Sequence, residues 1–521
     1  MLRKRNGLKL TAAAAGIAVL LSACGGNNGN NNASPSAASS APSSGSAGAT
    51  ASSPASGSAS ASADLKPVEL VWYLSESSVP ADLPAVQDAV NKIAKEKINA
   101  TVKLMVVGSG DYNQKMNTVI ASGEKLDLMW TANWNFDYVQ NQSKGAFLPL
   151  DDLLNQYAPD VVKSMPDYVW DATKIDGKIY AVPNYQTVIN KEGFVIQKEY
   201  IDKYKLDTST LKKFSDLGKL METVKKGENA EYVYAMNRDG NFGNLARTYN
   251  LEVISGIAYI NLNDPAKVVN IYETPELRDY YDTVRDWYQK GYINQDAATL
   301  KSKTDMQKAG KAIFGYDNVL KPGGEIEAKV KNGGKDMVYV PLTDAYTGTN
   351  TIITTMQAIS ANSENPERAM MFLNLVNTDK DLFNLLAFGI EGKHYTKNAD
   401  GSIKLIPDSG YAMADWSLGN VFNGYTIEGK DPNVAELTKK SNEEAKPSPI
   451  MGFKFKTDPV SAEIANVNAV SSEYAPGLNT GTIAPDDNLA EFQAKLKEAG
   501  ADKIIAEVQK QLDEWRAAQG K

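Results

Sequence analysis

Aromatic side chains with a polar edge collect where predicted strands give way to loops. The chain has 25 Tyr and 7 Trp against 13 Phe. Clusters occur at Trp72 and Tyr73, at 130–134, at Tyr185 and at 316–318. A sugar offers flat apolar faces and a rim of hydroxyls, so it needs rings for stacking and Asn, Asp or Gln for hydrogen bonds. About half of such rings are expected to pack in a core, so the clustering indicates a sugar site while no single ring does.

Patterns for catalysis or metal binding are missing. The one Cys cannot form an internal disulfide, and the one His, His394, excludes the common His/Cys zinc sites. Phosphate-binding, dinucleotide-binding and serine-hydrolase motifs are absent. Residues 398–401 resemble part of a calcium loop but lack its acidic ladder, so we expect a hairpin turn there. We expect His394 to be structural and predict no catalytic residue, metal or cofactor.

The charge balance excludes a class of partner. The formal charge is -8 for the whole chain. From residue 65 onward, 51 basic side chains face 62 acidic ones, which is a charge of -11. A nucleic-acid-binding protein would show a basic surplus or patch, so no nucleic-acid partner is expected.

The first residues are typical of an export signal. Residues 1–9 carry four basic side chains and no acid, and Leu10 to Leu21 form an apolar run of 12 residues. The sequence Leu21-Ser22-Ala23-Cys24 resembles the lipobox of bacterial lipoproteins. The resemblance implies a signal peptide over 1–23 and lipidation of Cys24, whose two acyl chains would hold the protein at a membrane. The alternative is an ordinary secretory signal in which Cys24 is incidental.

A tether is predicted over 24–64. Residues 25–63 are only Gly, Asn, Ala, Ser, Pro and Thr. Such a composition cannot fill a core and favours disorder. Fully extended, the segment would reach roughly 130 Å. This length would suit a thick cell wall, which indicates the extracellular face of a Gram-positive membrane.

The folded part begins with alternating strands and helices. Strands are predicted at 68–74, 100–107 and 126–130, with helices near 86–94 and 112–122 between them. This order favours a parallel sheet with right-handed crossovers. Ligands bind beyond the carboxyl ends of such strands, which indicates Leu74–Ser78 and Thr131–Trp134 as a prospective site.

Later segments continue the alternation. Buried strands are predicted at 312–316 and 337–341. Long helices are predicted over Pro275–Gly291 and Pro366–Leu386, and two amphipathic helices, 489–499 and 501–519, are expected to seal a core.

Five segments resemble family 1 extracellular solute-binding proteins, the sugar-capturing lipoproteins of ABC importers, and in particular their LipO-like branch. The segments are GEKLDLMWTANW (123–134), DGKIYAVP (176–183), ETPELRDYYDTVRDWYQKGYIN (273–294), NPERAMMFLNLVNTDKDLFNLLAFGIEGKHY (365–395) and MGFKFKTDPVSAEIANVNAV (451–470). The resemblance covers essentially all of 65–521.

The resemblance implies an α/β, two-lobed type II periplasmic-binding-protein fold with an interlobe cleft and hinge crossovers. One lobe would hold 65–187 plus 342–396, and the other 188–341 plus 397–521. Closure about the hinge would trap the ligand, and the closed protein would dock on a membrane permease.

Ligand contacts carry over from the family at three turns. They are Trp130, Thr131, Asn133 and Trp134 after one strand, Asn184, Tyr185 and Gln186 after Pro183, and Tyr316, Asp317 and Asn318 after Gly315. Trp416 and Phe453 are further candidates from the carboxyl-terminal lobe. Many relatives carry a charged residue after the first of these strands, where this chain has Asn133-Trp134-Asn135.

The expected function is that of a lipid-anchored, monomeric receptor. It would deliver an oligosaccharide to an ABC permease without chemical change, so no enzymatic activity is expected. One alternative is a binding protein for a peptide or another polar solute on the same fold. Another is a surface polysaccharide-degrading enzyme, which would need two carboxylates across a cleft that sequence cannot pair.

Overall fold

The computed structural model describes residues 65–520. The predicted signal peptide, Cys24 and the tether lie outside these residues. Between residues 65 and 520, no helix is both long and apolar enough to cross a membrane.

The strands and helices alternate along the chain. The strands are β1 (Val68–Glu76), β2 (Ala100–Gly108), β3 (Leu128–Thr131), β4 (Ala181–Pro183), β5 (Gly193–Gln197), β6 (Leu251–Ser255), β7 (Ala258–Asn261), β8 (Asp264–Asn270), β9 (Phe314–Asp317), β10 (Met337–Pro341), β11 (Tyr346–Thr347), β12 (Met356–Ile359), β13 (Tyr395–Lys397), β14 (Ile403–Leu405) and β15 (Lys446–Pro447).

The helices complete the element order. They are α1 (Leu83–Ile98), α2 (Ser109–Ser122), α3 (Tyr138–Ser143), α4 (Asp151–Tyr157), α5 (Pro159–Ser164), α6 (Asp167–Thr173), α7 (Lys198–Tyr204), α8 (Leu217–Glu228), α9 (Phe242–Leu245), α10 (Pro275–Gln289), α11 (Thr304–Lys308), α12 (Gly324–Lys331), α13 (Thr349–Ile352), α14 (Pro366–Thr378), α15 (Lys380–Phe388), α16 (Val434–Glu444), α17 (Ser461–Asn479), α18 (Pro485–Glu498) and α19 (Ala501–Ala518).

The first lobe is built on a five-stranded sheet of order β2-β1-β3-β12-β4. Strand β1 pairs in parallel with β2 and β3, and β12 runs antiparallel to β3 and β4. The predicted strand–helix–strand–helix–strand order and its parallel pairing are confirmed. The carboxyl ends of β1, β2 and β3 therefore lie at one edge of this sheet.

The sequence of β1 is almost continuously apolar because both faces of its sheet are covered. Leu70, Trp72 and Leu74 face one core, which is shared with α1, α14 and α15. Val71 and Tyr73 face a second core on the opposite side of the sheet, shared with α2. Side chains alternate between the faces of a strand, so a sheet covered on both faces needs apolar residues at nearly every position.

The second lobe has its own core. It is built around the antiparallel sheets β10-β5-β9 and β6-β7-β8, with α8, α10 and α17 to α19. Helix α10 matches the prediction closely. It begins with Pro275 after Thr274, whose side chain accepts a hydrogen bond from the Leu277 N–H at 3.3 Å.

One predicted helix is corrected, and one predicted break between helices is confirmed. The predicted single helix Pro366–Leu386 is two helices, α14 and α15, because Asp379 is non-helical and caps α15 through a 2.9 Å hydrogen bond from the Leu382 N–H. The predicted break between the last two helices lies at Gly500, whose φ of 104° is one that L side chains rarely adopt.

The segment after β13 packs differently from the prediction, which placed all of 397–521 in the second lobe. Ile403, Tyr411 and Leu418 are buried in the core of the first lobe. Their burial follows from the β13–β14 hairpin, which keeps the chain on the first lobe beyond residue 396. We infer that the third crossing between lobes lies near β15.

Three chain segments lie side by side where the lobes join. Asn190 and Tyr346 exchange backbone hydrogen bonds of 2.8 and 2.9 Å, and β11 pairs in parallel with β15. We call 188–192, 343–349 and 446–450 the hinge segments. Rotation about such short connections can open and close a cleft without disturbing either core.

A buried carboxylate holds the hinge segments together. Glu192 Oε1 accepts a 2.7 Å hydrogen bond from the Tyr346 hydroxyl, and Oε2 accepts one from the Thr248 N–H at 3.3 Å. The Arg247 guanidinium stacks 4.1 Å from the centre of the Tyr346 ring. Burial raises the pKa of Glu192 to about 7, against the opposing effect of these hydrogen bonds.

This raised pKa predicts that a rise in pH from acidic to neutral destabilises the hinge. The contribution of Glu192 to the free energy of unfolding is full below its ordinary pKa and is lost as pH rises to about 7. It amounts to about 3 kcal/mol. Glu192→Gln should therefore flatten the fall in unfolding free energy between pH 5 and pH 8, as measured by guanidinium denaturation at several pH values.

The matched control is Glu96→Gln, at an exposed position of α1. It should keep the wild-type dependence of stability on pH. A Glu192→Gln variant whose stability falls as steeply with pH as that of the wild type would contradict the assignment.

Candidate functional site

Two of the four predicted residues around the end of β3, Trp130 and Thr131, belong to the strand itself and are buried supports. Trp130 is fully buried, and its Nε1 donates a 2.8 Å hydrogen bond to Thr355 Oγ1. Thr131 is also fully buried, and its hydroxyl donates to the Phe136 carbonyl at 2.7 Å. These two side chains pack inside the protein and support the end of the strand. The prediction had them in direct contact with ligand.

The next residues along this turn reach the surface. Asn133 is half-buried, and its Nδ2 donates to the Asn350 carbonyl at 2.9 Å. Trp134 is 53% exposed, and its Nε1 donates to the Thr354 carbonyl at 2.9 Å. The ring of Trp134 meets Trp130 edge to face at 5.3 Å between centroids. Trp134 is therefore a fixed ring that presents a large apolar area to solvent.

The residues after β4 also divide between support and surface. Asn184 is buried, and its Nδ2 donates to Thr355 Oγ1 at 2.8 Å and to the Trp416 carbonyl at 3.2 Å. Tyr185 is buried in the core of the first lobe. Gln186 is half-buried near the hinge.

The end of β9 and the turn that follows it belong to the second lobe. Tyr316 is 7% exposed, and its hydroxyl lies 3.5 Å from Glu192 Oε2. Asp317 and Asn318 are half-buried, and the Asn318 carbonyl accepts a hydrogen bond from the Lys191 N–H at 2.9 Å. This turn therefore lies next to the hinge segment 188–192.

One cavity, which we call the Trp416 cavity, has a volume of about 270 Å³. It brings together two of the predicted residues of the second lobe, Tyr316 and Asp317, with Trp416 of the segment that packs on the first lobe. Its aromatic lining residues are Phe314, Tyr316, Tyr339 and Trp416, and its charged ones are Lys303, Asp317, Lys321, Glu327 and Lys331.

A second cavity, which we call the Phe453 cavity, has a volume of about 370 Å³ and is lined by both lobes. It contains the predicted residues Asn133 and Phe453. The first lobe contributes Asn133, Asp137, Val139, Gln140, Thr349, Asn350 and Ile353, and the second lobe contributes Glu252, Val253, Ile254, Ser255, Gly256, Ile450, Phe453, Lys454, Phe455 and Thr457.

A hydrogen-bonded wall of the first lobe links the two cavities. The Asn350 carbonyl accepts from Asn133 Nδ2 and, at 2.8 Å, from the Thr354 hydroxyl. The neighbouring Thr355 hydroxyl lies 3.3 Å from the Trp416 carbonyl. Trp134, bonded to the Thr354 carbonyl, therefore lies on the wall that joins Asn133 of one cavity to Trp416 of the other.

Each cavity holds charges of both signs that are partly removed from water. Burial lowers the pKa of Lys303, and the nearby Asp317 opposes this effect. Burial also lowers the pKa of Lys454 to about 8, although its ammonium donates to the Lys174 carbonyl at 2.7 Å. Burial raises the pKa of Asp137. Charged donors and acceptors on facing walls can bind hydroxyl groups, which donate and accept at once.

Sequence reasoning missed several residues of this site. Thr355 and Lys303 lie in none of the five segments that resemble the family, and Lys454 lies in segment 451–470 but was not among the predicted contacts. Glu76 could have been noticed as a carboxylate ending a buried strand, within the predicted edge Leu74–Ser78. It is 5% exposed and hydrogen-bonded to the segment that carries Trp416.

The remaining motifs are structural. His394 is buried, its Nδ1 accepts from the Ile390 N–H at 2.8 Å, and its Nε2 lies 3.1 Å from Asp82 Oδ2. This pair ties the end of α15 to the start of α1. Residues 398–401 form the turn of the β13–β14 hairpin, as predicted.

Two known protein families match most of the chain. Residues 77–381 match the family described as "Bacterial extracellular solute-binding protein". Residues 449–517 match a second family, described as a domain of unknown function, DUF3502. This second match covers one of the two second-lobe segments that line the Phe453 cavity, residues 450–457.

Two curated relatives and one solved structure show how far the similarity extends. A "Carbohydrate ABC transporter substrate-binding protein" of Streptococcus pneumoniae serotype 4 is 32% identical, over 86% of this chain and 91% of the relative. Lipoprotein LipO of Bacillus subtilis is 22% identical over 61% of this chain and 65% of its own length. The crystal structure of the N-glycan transport solute binding protein NgtS from Streptococcus pneumoniae is 29% identical, with a TM-score of 0.75 over 86% of this chain and 99% of that protein.

These matches agree with the two-lobed α/β architecture. The fold is that of type II periplasmic binding proteins, as the sequence resemblance implied. The chain belongs to the bacterial extracellular solute-binding protein family.

Proposed function

We propose that this protein is a lipid-anchored extracellular receptor that captures an oligosaccharide between its lobes. Closure about the hinge segments traps the sugar, and the closed protein delivers it unchanged to the permease of an ABC importer. The protein acts as a monomer and as a carrier, with no chemical step.

The observation that carries the proposal is the composition of the two cavities. The Trp416 cavity sets aromatic rings beside Lys303 and Asp317, and the Phe453 cavity sets Asn133, Asp137 and Lys454 around an apolar patch. Rings that stack on the C–H faces of a sugar, with charged groups that bind its rim, are the features that such a ligand requires.

We interpret the two cavities as parts of one extended cleft. Trp134 lies on the wall between them and is the most exposed of the predicted rings. Volumes of about 270 and 370 Å³ are modest for whole ligand pockets, which range from roughly 300 to 1,000 Å³. A ligand of several sugar units would occupy both and would stack on Trp134 between them.

The similar proteins support this ligand class. The streptococcal relative is named a carbohydrate ABC transporter substrate-binding protein. NgtS has been crystallised with Man1GlcNAc and with Man5GlcNAc, and these complexes have TM-scores of 0.73 and 0.71 with this chain. Both names describe carriers of sugars, which favours a receptor over a polysaccharide-degrading enzyme.

Closure follows from the way the ligand is shared. A ligand that touches both lobes makes all its contacts only when the cleft is shut, so binding shifts the population towards the closed state. The Phe453 cavity has walls from both lobes, and Lys456 of the second lobe is paired with Asp176 of the first at 2.8 Å. Such a pair is a contact that opening would break.

The anchor completes the proposal. Cys24 would carry two acyl chains at the outer face of the membrane, and residues 25–63 would form the tether. A tether of this length lets the receptor sweep a volume around the permease, which raises the effective concentration of one near the other.

The ligand class can be tested with a thermal-shift screen of residues 65–521 against neutral and acidic oligosaccharides, with peptides as controls. A ligand that binds only the native state raises the unfolding midpoint in proportion to its occupancy. We expect a rise with one class of oligosaccharide and no product by a reducing-end assay. A rise with peptides alone would overturn the ligand class, and turnover abolished by changing one carboxylate would overturn the receptor function.

Trp134→Ala should weaken binding of the oligosaccharide found in that screen by roughly tenfold to a hundredfold, because it removes a stacking ring worth about 1–3 kcal/mol. Trp134→Phe should retain most of the affinity, since it keeps a ring and loses only the bond to Thr354. Isothermal titration calorimetry measures both. Leu405→Ala, at a position 44% exposed and outside both cavities, is the control. Equal affinities for Trp134→Ala and wild type would remove Trp134 from the site.

Cys24→Ala should release the protein from the membrane, because lipidation requires the thiol. Expressed at full length in a Gram-positive host, the wild type should partition into the detergent phase of Triton X-114 and incorporate labelled palmitate. The variant should appear in the culture medium without label. Detergent partitioning that survives the substitution would mean that another feature anchors the chain.

A further inference from the structure

Trp416 is carried by a short segment, 414–417, that contains a single 3-10 turn, Asp415–Ser417. A turn of this kind has few backbone bonds of its own, so its position depends on the groups that it contacts. Segment 414–417 lies against the edge of the first sheet, where β1, β12 and the end of β4 meet.

Glu76, the last residue of β1, binds this segment at two points. Its Oε1 accepts a 2.7 Å hydrogen bond from the Ser417 hydroxyl, and its Oε2 accepts one from the Ala414 N–H at 3.2 Å. The two bonds bracket Trp416 on either side. Glu76 is 5% exposed, and the Ser109 hydroxyl donates to its carbonyl at 2.9 Å, which fixes the end of the strand.

Two neutral amide side chains donate hydrogen bonds to backbone carbonyls of the same segment. Gln357 Nε2 donates to the Ser417 carbonyl at 2.7 Å, and Asn184 donates to the Trp416 carbonyl at 3.2 Å. The carboxylate of Glu76 thus supplies acceptors on one side, and these amides supply donors on the other. Together they leave the indole ring as the part of the segment that faces the Trp416 cavity.

We propose that Glu76 is the positioning residue of the ligand cleft, whose buried carboxylate fixes segment 414–417 and so sets the angle at which Trp416 faces the ligand. The contact of Trp416 with ligand rests on the proposed function, whereas the control of Trp416 by Glu76 does not. A buried carboxylate is costly unless it is hydrogen-bonded, so the sheet edge and segment 414–417 stabilise each other.

The charge state of Glu76 gives this link a measurable signature. Burial raises its pKa to about 7, the bonds from Ser417 and Ala414 lower it, and the charge of Asp415 raises it. Tyr411 also faces it, and Lys321 and Lys430 lie near Asp415. Because burial outweighs the two bonds, ionisation of Glu76 costs the packed state free energy, so segment 414–417 is held more tightly at pH 5.5 than above pH 7.

The test that needs no ligand follows intrinsic tryptophan fluorescence of the chain 25–521 from pH 5.5 to 8.5. We expect a transition with a midpoint near pH 7 in the wild type, and its loss in both Glu76→Gln and Trp416→Phe. Glu69→Gln, an exposed residue on the same strand, should keep the transition. A transition that persists in Glu76→Gln or in Trp416→Phe, or that is absent from the wild type, would overturn the proposal.

Ser417→Ala provides a second variant should Glu76→Gln unfold, as judged by circular dichroism. It removes one bond that lowers the pKa of Glu76, so the midpoint should move to higher pH. An unmoved midpoint would contradict the assignment of the transition to Glu76.

A second experiment measures binding affinity, with the oligosaccharide that gives the largest thermal shift. Wild-type affinity should fall roughly threefold to tenfold from pH 6 to pH 8, whereas Glu76→Gln, which stays neutral, should show little dependence on pH. This is the size of effect expected for one weakened hydrogen bond. Equal affinity and pH dependence in the two proteins would show that the position of Trp416 does not matter for binding. If no oligosaccharide binds, the proposed function fails, and the fluorescence arm still decides the role of Glu76.

Discussion

One buried hydroxyl organises the edge of the first sheet. Thr355 Oγ1 accepts hydrogen bonds from Trp130 Nε1 and Asn184 Nδ2, each 2.8 Å long, and lies 3.3 Å from the Trp416 carbonyl, to which it donates. A hydroxyl has one hydrogen and two lone pairs, so these three bonds satisfy it completely. In a site 1% exposed, any one of them left unmade would cost free energy, so the three partners are fixed relative to one another.

The two lobes contribute differently to the cleft. The first lobe presents a wall whose rings and amides are hydrogen-bonded to the Thr355 hydroxyl and to the backbone carbonyls of Asn350, Thr354 and Trp416. The second lobe brings Tyr316, Lys303 and Lys454 towards that wall from elements with a separate core. The hinge segments connect the two lobes, and there the buried carboxylate of Glu192 joins Tyr346 to the start of β5. Rigid lobes and a short hinge are what a closing receptor requires.

Much of the fold could be predicted because its signals are local. The order of β1 to β3 and the terminal helices follow from hydrophobic periodicity, and the surface position of Trp134 follows from its place beyond a strand end. The site was harder to predict. Trp130 was expected to contact ligand, but a ring in a strand covered on both faces packs inwards. Glu76 and Ser417 are 341 residues apart, and no local sequence pattern predicts that they are in contact.

The most direct measurement is a crystal structure of residues 65–521 grown with the oligosaccharide that gives the largest thermal shift. The account predicts a closed cleft with sugar stacked on Trp134 and Trp416, and with its hydroxyls bonded to Asp317 and Lys303 or to Asn133 and Lys454. Sugar bound elsewhere on the surface, with both tryptophan rings free of it, would contradict the account.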